Sequence, residues 1–373
     1  MKRDPWNILT VALFALALLT VPLLFLLLPY RSFSDTERRY LAEPPKLSDE
    51  KLSDWSFDDR TEAFLADHLP MRDAFVSVNA YFTLYTGRQV SADVWRDAEG
   101  YLVEAPVDFD ANEIEKRMNR IAKLGETTGL VPRLLIVPST GYVRNATLPK
   151  TLAALYRDGE ALEQIEKTRG VSLVPIAERF KAEGQAWYYR TDHHWTTDGA
   201  FAAYEAYMRA AGHEPLARDA FDRREIAGYS GSTRSRSALW LHPTDTLTLE
   251  APKNCAVTVT FSDDEEVYDS LFFEEHLSEY DWYPVFLDGN HPVTVIENRN
   301  AAADAQVLLL VKDSFGNTLV PYLVPSYKTI VMVDPRYYKQ SVSELAEAYG
   351  ADELLFCYSI ERIATDEALK LLK

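Results

Sequence analysis

Ile8 to Leu28 is a run of 21 residues without a charge, dominated by Leu, Ala, Val and Phe. At about 1.5 Å of rise per residue, a helix of that length matches a bilayer core of about 30 Å. The run is longer than the apolar region of a signal peptide and ends in Pro29-Tyr30-Arg31 with no small-x-small site, so it predicts an uncleaved anchor. Lys2 and Arg3 precede it, and an excess of cations on the cytoplasmic side places the N-terminus inside and everything after about Pro29 outside. Arg31, Arg38 and Arg39 weigh against that orientation. Residues 1–30 are therefore expected as a cytoplasmic tip and a single-pass transmembrane anchor in the cell membrane, with the rest extracytoplasmic.

Beyond the anchor, Ser34 to Ser48 is polar, and Pro44-Pro45 opposes helix, which predicts an extended tether. Phe57 to Asp67 and Arg72 to Tyr85 carry apolar residues at helical spacing and are interrupted at Pro70, so residues 31–90 read as tether plus two amphipathic helices. Residues 91–373 then alternate. Short apolar runs suited to strands (Gly100–Val103, Arg133–Val137, Val171–Val174, Ala305–Lys312, Thr329–Val333, Glu353–Tyr358) are interleaved with helical periods (Ala111–Thr128, Glu160–Thr168, Ile176–Ala182, Thr196–Ala211, Val342–Tyr349). Gly212 closes the fourth of these helices. This order predicts an α/β domain whose mainly parallel sheet is flanked by helices on both faces. Residues 214–300 differ in texture. Thr246–Leu249 and Val257–Phe261 alternate at period two among turn residues, which predicts a β-rich insertion.

The 373 residues carry a formal net charge of -18. Nucleic acid needs a basic footprint to neutralise phosphates, and none is present, so no nucleic-acid partner is expected. The same field favours a neutral or weakly charged ligand. Cys255 and Cys357 allow one disulfide or none, and neither has metal-ligand spacing.

Asp192-His193-His194-Trp195 places three titratable side chains in succession within an aromatic segment. In an extended chain Asp192 and His194 share a face, with Cα atoms roughly 6 to 7 Å apart, while His193 points away. A carboxylate on Nδ1 fixes the imidazole tautomer and leaves Nε2 free as a general base. The plainer alternative is packing at a strand end. Histidine and aspartate also serve as metal ligands, but neighbouring strand residues diverge, so no metal is expected. Ser314, in the turn after Val307–Lys312, is the matching nucleophile. Ligands of open α/β folds bind at that edge of the sheet, and the first amides of a following helix stabilise an oxyanion. Taken alone, Asp313 or Ser314 reads equally as a helix N-cap. Gly289 and Asn290 form a turn or supply oxyanion donors, and Asn317 and Trp195 complete the candidates for substrate contact. His68, His213, His242 and His276 read as surface or helix-end residues. No cofactor is called for.

Asp192-His-His-Trp195 resembles the defining motif of the bacterial DHHW proteins, which are similar to alginate O-acetyltransferases with domains like those of SGNH hydrolases. Asp35–Ala42, Phe64–Asp73, Tyr283–Pro292 and Lys312–Gly316 resemble further segments of that group. The resemblance implies an SGNH-hydrolase-like fold and a triad of Asp192, His194 and Ser314. Lys312 stands where the Gly-Asp-Ser motif of SGNH hydrolases has glycine. The implied activity is O-acetyl transfer to a cell-surface or exported polysaccharide, with a membrane-bound partner supplying the acyl group. A carbohydrate acetyl esterase with the same triad is one alternative. A non-catalytic polysaccharide-binding or envelope-assembly protein is another.

Overall fold

The computed structural model describes residues 5–46, 56–87, 93–183 and 186–373. The chain falls into two compact units, Met1–Ala92 with Arg234–Leu241, and Asp93–Thr233 with His242–Lys373.

In the first unit, α1 (Pro5–Leu27) contains the stretch Trp6–Leu27, which has a mean hydropathy of 2.6 and is long and apolar enough to cross a membrane. Lys2 and Arg3, from which the orientation was read, lie outside the described residues. Where an extended tether was expected, β1 (Phe33–Ser34) and β2 (Arg39–Tyr40) pair as a small antiparallel hairpin. Arg39 Nη1 donates to Asp67 Oδ2 at 2.9 Å, and the Ala42 amide donates to the same oxygen at 2.9 Å. The polar stretch folds back because its charges find partners. Residues 47 and 48 of that stretch lie outside the described residues. Two helices follow, α2 (Ser56–Asp67) and α3 (Arg72–Tyr85), separated around Pro70.

The second unit opens with a hairpin of β3 (Val94–Arg96) and β4 (Leu102–Glu104). Next comes α4 (Ala111–Thr128), which Asp110 caps by accepting the Asn112 and Glu113 amides, and which Gly129 ends at φ 73°. The chain continues through β5 (Pro132–Val137), α5 (Thr140–Val143), α6 (Lys150–Ala153), α7 (Asp158–Glu166), β6 (Ser172–Leu173), α8 (Ala177–Glu183) and α9 (Thr197–Ala211). Residues 214–300 are β-rich, as expected, and divide between two sheets. Their strands are β7 (Phe221–Tyr229), β8 (Asp245–Pro252), β9 (Val257–Phe261), β10 (Val267–Tyr268) and β11 (Val293–Asn298), with α10 (Ser232–Ser237) after β7. The last part contains β12 (Gln306–Lys312), α11 (Phe315–Leu323), β13 (Tyr327–Val333), α12 (Val342–Tyr349), β14 (Glu353–Ser359) and α13 (Ile360–Thr365).

One eight-stranded sheet organises this unit, in the order β10-β9-β11-β13-β12-β14-β5-β6. From β13 to β6 the pairing is parallel, while β11, β9 and β10 extend the sheet antiparallel. β7 and β8 form a separate ribbon. The central strand β12 shows why its sequence is continuously apolar. Leu308 and Leu310 enter the core shared with α9 and α11, and Val307, Leu309 and Val311 enter the opposite core with Ile114 and Met118 of α4. A strand covered on both faces has no polar side to display. The turns after β5, β12 and β14 therefore share the carboxyl edge of the parallel strands, where side chains are free of core packing.

Candidate active site

Asp192 and His194 are carried on a tight turn just before α9. Tyr188 and Trp195 form an antiparallel bridge, the Tyr189 amide donates to the His194 carbonyl at 3.2 Å, and the Thr196 amide donates to the Trp187 carbonyl at 2.8 Å. Thr196 Oγ1 then caps α9 by accepting the Gly199 amide. Gly199 lets the turn close on the helix, because a Cβ there would lie 2.5 Å from the Trp187 carbonyl oxygen. The extended conformation expected for 192–195 is thus replaced by a bend, and His193 does not point away. Its Nδ1 lies 3.1 Å from Asp192 Oδ1, and its ring sits 4.0 Å from that of His194.

Ser314 follows β12 and precedes α11. The structure separates two roles that the sequence left open at this turn. Asp313 is the capping residue, with Oδ1 accepting the Phe315 amide at 3.0 Å and Oδ2 accepting the Ser359 amide at 2.8 Å. This joins the ends of β12 and β14 and leaves the Ser314 hydroxyl without a capping bond. Lys312 occupies the expected glycine position. Its side chain is buried beneath α11, where Gly316 provides the space, since a Cβ on Gly316 would lie 2.7 Å from Lys312 Cβ.

Residues more than a hundred positions apart meet here. His194 Nε2 lies 2.7 Å from Ser314 Oγ, and His194 Nδ1 lies 3.1 Å from Asp192 Oδ2. Asp192 is fully buried and is also approached by the His193 amide (2.8 Å), Ser232 Oγ (2.7 Å) and the Tyr229 hydroxyl. The His194 ring stacks on Tyr283 at 3.7 Å between centroids and 12° between planes. Tyr283 in turn bonds Thr318 Oγ1 at 2.7 Å and donates to the Ser314 carbonyl at 3.3 Å. His193, Tyr229, Ser232 and Tyr283 were not among the expected site residues. His193, within the Asp-His-His-Trp cluster, and Tyr283, within the Tyr283–Pro292 segment, carried a sequence signal; Tyr229 and Ser232 carried none.

The charges are arranged so that the base is neutral. Burial alone would raise the Asp192 carboxyl, but the two histidines hold it well below the usual carboxylate range. Burial, and then the neighbouring His193, push His194 down to about 4. Burial opposes the charge on His193, yet Asp192 outweighs it, with help from Glu104 and Glu361, and His193 rises to about 9. At neutral pH His193 is thus cationic and His194 is an unprotonated acceptor. A general base must be unprotonated before it can take a proton.

Several residues expected at the site are engaged within the protein. Trp195 is in the core, edge-on to Phe315 at 5.3 Å, with its indole nitrogen buried and unpaired, so it has no face for a sugar. The Gly289 amide donates to the Phe286 carbonyl at 3.2 Å within a turn. Asn290 Oδ1 accepts from Lys312 Nζ at 2.7 Å, and Asn317 Nδ2 donates to the Gly289 carbonyl at 2.7 Å. These contacts brace one loop against α11 and leave the Asn317 side-chain oxygen buried without a partner. The first amides of α11 are also engaged: Phe315 and Gly316 donate to Asp313, and Asn317 to the Ser314 carbonyl. His242, expected at the surface, is buried and bonds the Gly100 carbonyl. Cys255 and Cys357 are free thiols.

Among the described residues, Asp192, His193 and His194 form a group whose ligand atoms lie within 4.8 Å of one another, close enough to hold a metal ion. Those atoms already satisfy one another. Both Nδ1 atoms face Asp192, and His194 Nε2 faces Ser314, so a metal would have to displace that hydrogen-bond chain.

The family model described as DHHW protein matches residues 164–333, which include Asp192, His194 and Ser314. A DHHW family protein from Eubacterium siraeum has a similar fold, with a TM-score of 0.64 at 21% identity over 76% of this chain and 99% of that one. Bacillus cereus PatB1, solved with a sulfonyl adduct, gives a TM-score of 0.63 at 24% identity over 75% of this chain and 98% of its own. A second structure of Bacillus cereus PatB1 gives a TM-score of 0.62 at 24% identity over 74% of this chain and 99% of its own. No curated protein matches the sequence. The chain thus resembles the DHHW proteins in its motif region and shares the fold of these structures.

Proposed function

We propose that this protein is an O-acetyltransferase, held to the membrane by α1 as its single span, acting outside the cell on a surface or exported polysaccharide. The observation that carries the chemistry is the continuous hydrogen-bonded chain from Ser314 Oγ through His194 to Asp192. His194 Nε2 takes the hydroxyl proton as Ser314 Oγ attacks the acetyl carbonyl of a donor, and Asp192 stabilises the imidazolium that forms. The imidazolium returns the proton to the leaving group, and Ser314 carries the acetyl. A sugar hydroxyl then attacks the acetyl-serine, giving its proton to His194, and the Ser314 Oγ–acyl bond breaks as the imidazolium returns that proton to Ser314. The resemblance to alginate O-acetyltransferases favours a sugar acceptor, and the strongly acidic chain favours a neutral or weakly charged glycan. A membrane-bound partner delivering acetyl groups fits an anchored enzyme working where soluble acyl thioesters are absent.

The test uses the full chain in detergent with a chromogenic acetyl ester, with and without an oligosaccharide acceptor. Ester turnover that is abolished in Ser314→Ala and in His194→Ala is the expected result, together with acetylated sugar as product. A sulfonyl fluoride should modify Ser314 and block turnover. Acetate as the sole product, with sugar present, would make the protein an esterase using the same atoms. Equal turnover in wild type and Ser314→Ala would end the proposal and leave a glycan-binding role.

A further inference from the structure

The outward face of α3 carries no charge and is dominated by large apolar residues. Phe75, Val78, Phe82 and Tyr85 are 58%, 67%, 64% and 80% exposed, at successive spacings of three, four and three residues, and Met71, at the N-cap just before the helix, is 70% exposed. That spacing defines one continuous stripe along a helix. The opposite face is the packed one, where Ala80 is fully buried; on the flank of the stripe the Tyr81 hydroxyl accepts the Leu241 amide at 2.9 Å within the same unit. A helix in water shows the reverse pattern, because an exposed apolar stripe of this extent is a binding surface. No charged residue occurs from Ala74 to Gly87. The two charges at the start of the helix are held internally, Arg72 by Glu37 and Asp67, and Asp73 by Arg31 at 3.9 Å.

We infer that this face of α3 lies in the lipid headgroup and upper acyl region of the bilayer that α1 spans, giving the protein a second, interfacial membrane contact. The inference rests on the reading of α1 as a membrane helix, and it is independent of the acetyl-transfer chemistry. What identifies lipid as the occupant is continuity within the unit. The end of α1 packs directly on α2, with Phe25 edge-on to Phe64 at 5.8 Å, Tyr30 stacked on His68 at 5.0 Å, and His68 Nε2 3.1 Å from the Arg31 carbonyl. Phe25, Leu28, Phe64, Leu69 and Met71 line one cleft of about 310 Å³ whose polar rim is Arg31, Asp67, His68, Arg72 and Asp73, so the last turn of the span and the residue that leads into α3 share a surface. The stripe therefore begins where α1 must leave the hydrocarbon. Its composition of Phe, Tyr, Met and Val suits that depth. An uncharged face also fits a chain of net charge -18, which could not be drawn to an anionic leaflet electrostatically.

The test places the full chain in phosphatidylcholine vesicles, with Phe75→Cys, Val78→Cys or Phe82→Cys in a Cys255→Ser background, Cys357 being fully buried in the core, and a fluorescent label on each introduced thiol. A Leu19→Cys label in α1 reports whether the span is inserted. All three replaced α3 side chains are exposed, so the substitutions leave packing intact. Expected is strong quenching at 75, 78 and 82 by nitroxide on the upper acyl chain, protection from aqueous iodide, and no change on adding salt or phosphatidylglycerol. Quenching at Leu19 while the three α3 labels stay open to iodide would overturn the inference alone. Protection that appears only in native membranes would assign the face to a protein partner, and disulfide cross-linking through position 78 would assign it to a second copy. Either outcome replaces lipid as the occupant. If the Leu19 label is also in water, the anchor itself fails, and this inference falls with it.

Discussion

Replacing His193 with glutamine isolates the electrostatic part of the site. His193 is cationic beside Asp192, and its ring lies 4.0 Å from that of His194. At about 4 Å, two unit charges repel by about 1 kcal/mol in bulk water and by about 4 kcal/mol at an effective dielectric of 20. The His193 side chain is 38% exposed, so the screened end of that range applies. With about 1.4 kcal/mol per pKa unit, removing the cation should raise His194 by roughly one unit. The second consequence has the same sign: Asp192, no longer shared between two rings, favours protonated His194 more strongly. Activity needs the neutral form of His194, so the acid limb of kcat/KM for an acetyl ester should fall near pH 4 in the wild type, where burial and His193 place this group. In His193→Gln it should move up by about one pH unit, with the neutral-pH plateau reduced far less than in His194→Ala. An acid limb that stays in place, or moves to lower pH, would refute the assignment of His193 as the group that keeps His194 unprotonated.

Three further outcomes follow from the same geometry. Asp192→Asn offers an amide N–H where His194 Nδ1 needs an acceptor, which favours the wrong tautomer. A fall in kcat on the order of 10⁴, the scale known for the equivalent change in a serine protease, is expected in steady-state assays. Tyr283→Ala removes the ring stacked on His194, and an aromatic pair is worth about 0.5–1.5 kcal/mol, so kcat/KM should drop by roughly 2- to 13-fold. Tyr283→Phe keeps the stack and should stay closer to wild type. Gly231→Ala would put a Cβ 2.2 Å from Asp192 Cβ and 2.6 Å from the Thr191 carbonyl oxygen. Thermal denaturation and ester assays should show lost stability together with lost turnover, and a variant that retains both would contradict this packing.

The helices and core strands were legible because their signals are local. The period of Ala111–Thr128 and its Asp110 cap mark a helix, and the apolar run Val307–Val311 within β12 marks a strand covered on both faces. The Asp-His-His-Trp motif and Ser314 were legible as residue types suited to one chemistry. The sequence could not state that Ser314 Oγ, 120 positions along the chain from His194, comes within 2.7 Å of its ring, because that distance depends on strand order. It also assigned His193 the wrong direction, since side-chain alternation holds in a strand and fails in the bend at 192–194. Gly289, Asn290, Asn317 and Trp195 looked like ligand contacts because such types often are, but only the packing of the 286–290 turn and of Phe315 decided that their polar atoms and rings face the protein. The outward stripe of α3 lies between these cases. Its period was written in the sequence, whereas the burial of Ala80 on the opposite side decided which face the fold leaves uncovered. Local free energies set the elements. Which groups lost water and met one another was set by long-range packing, whose partners no local window contains.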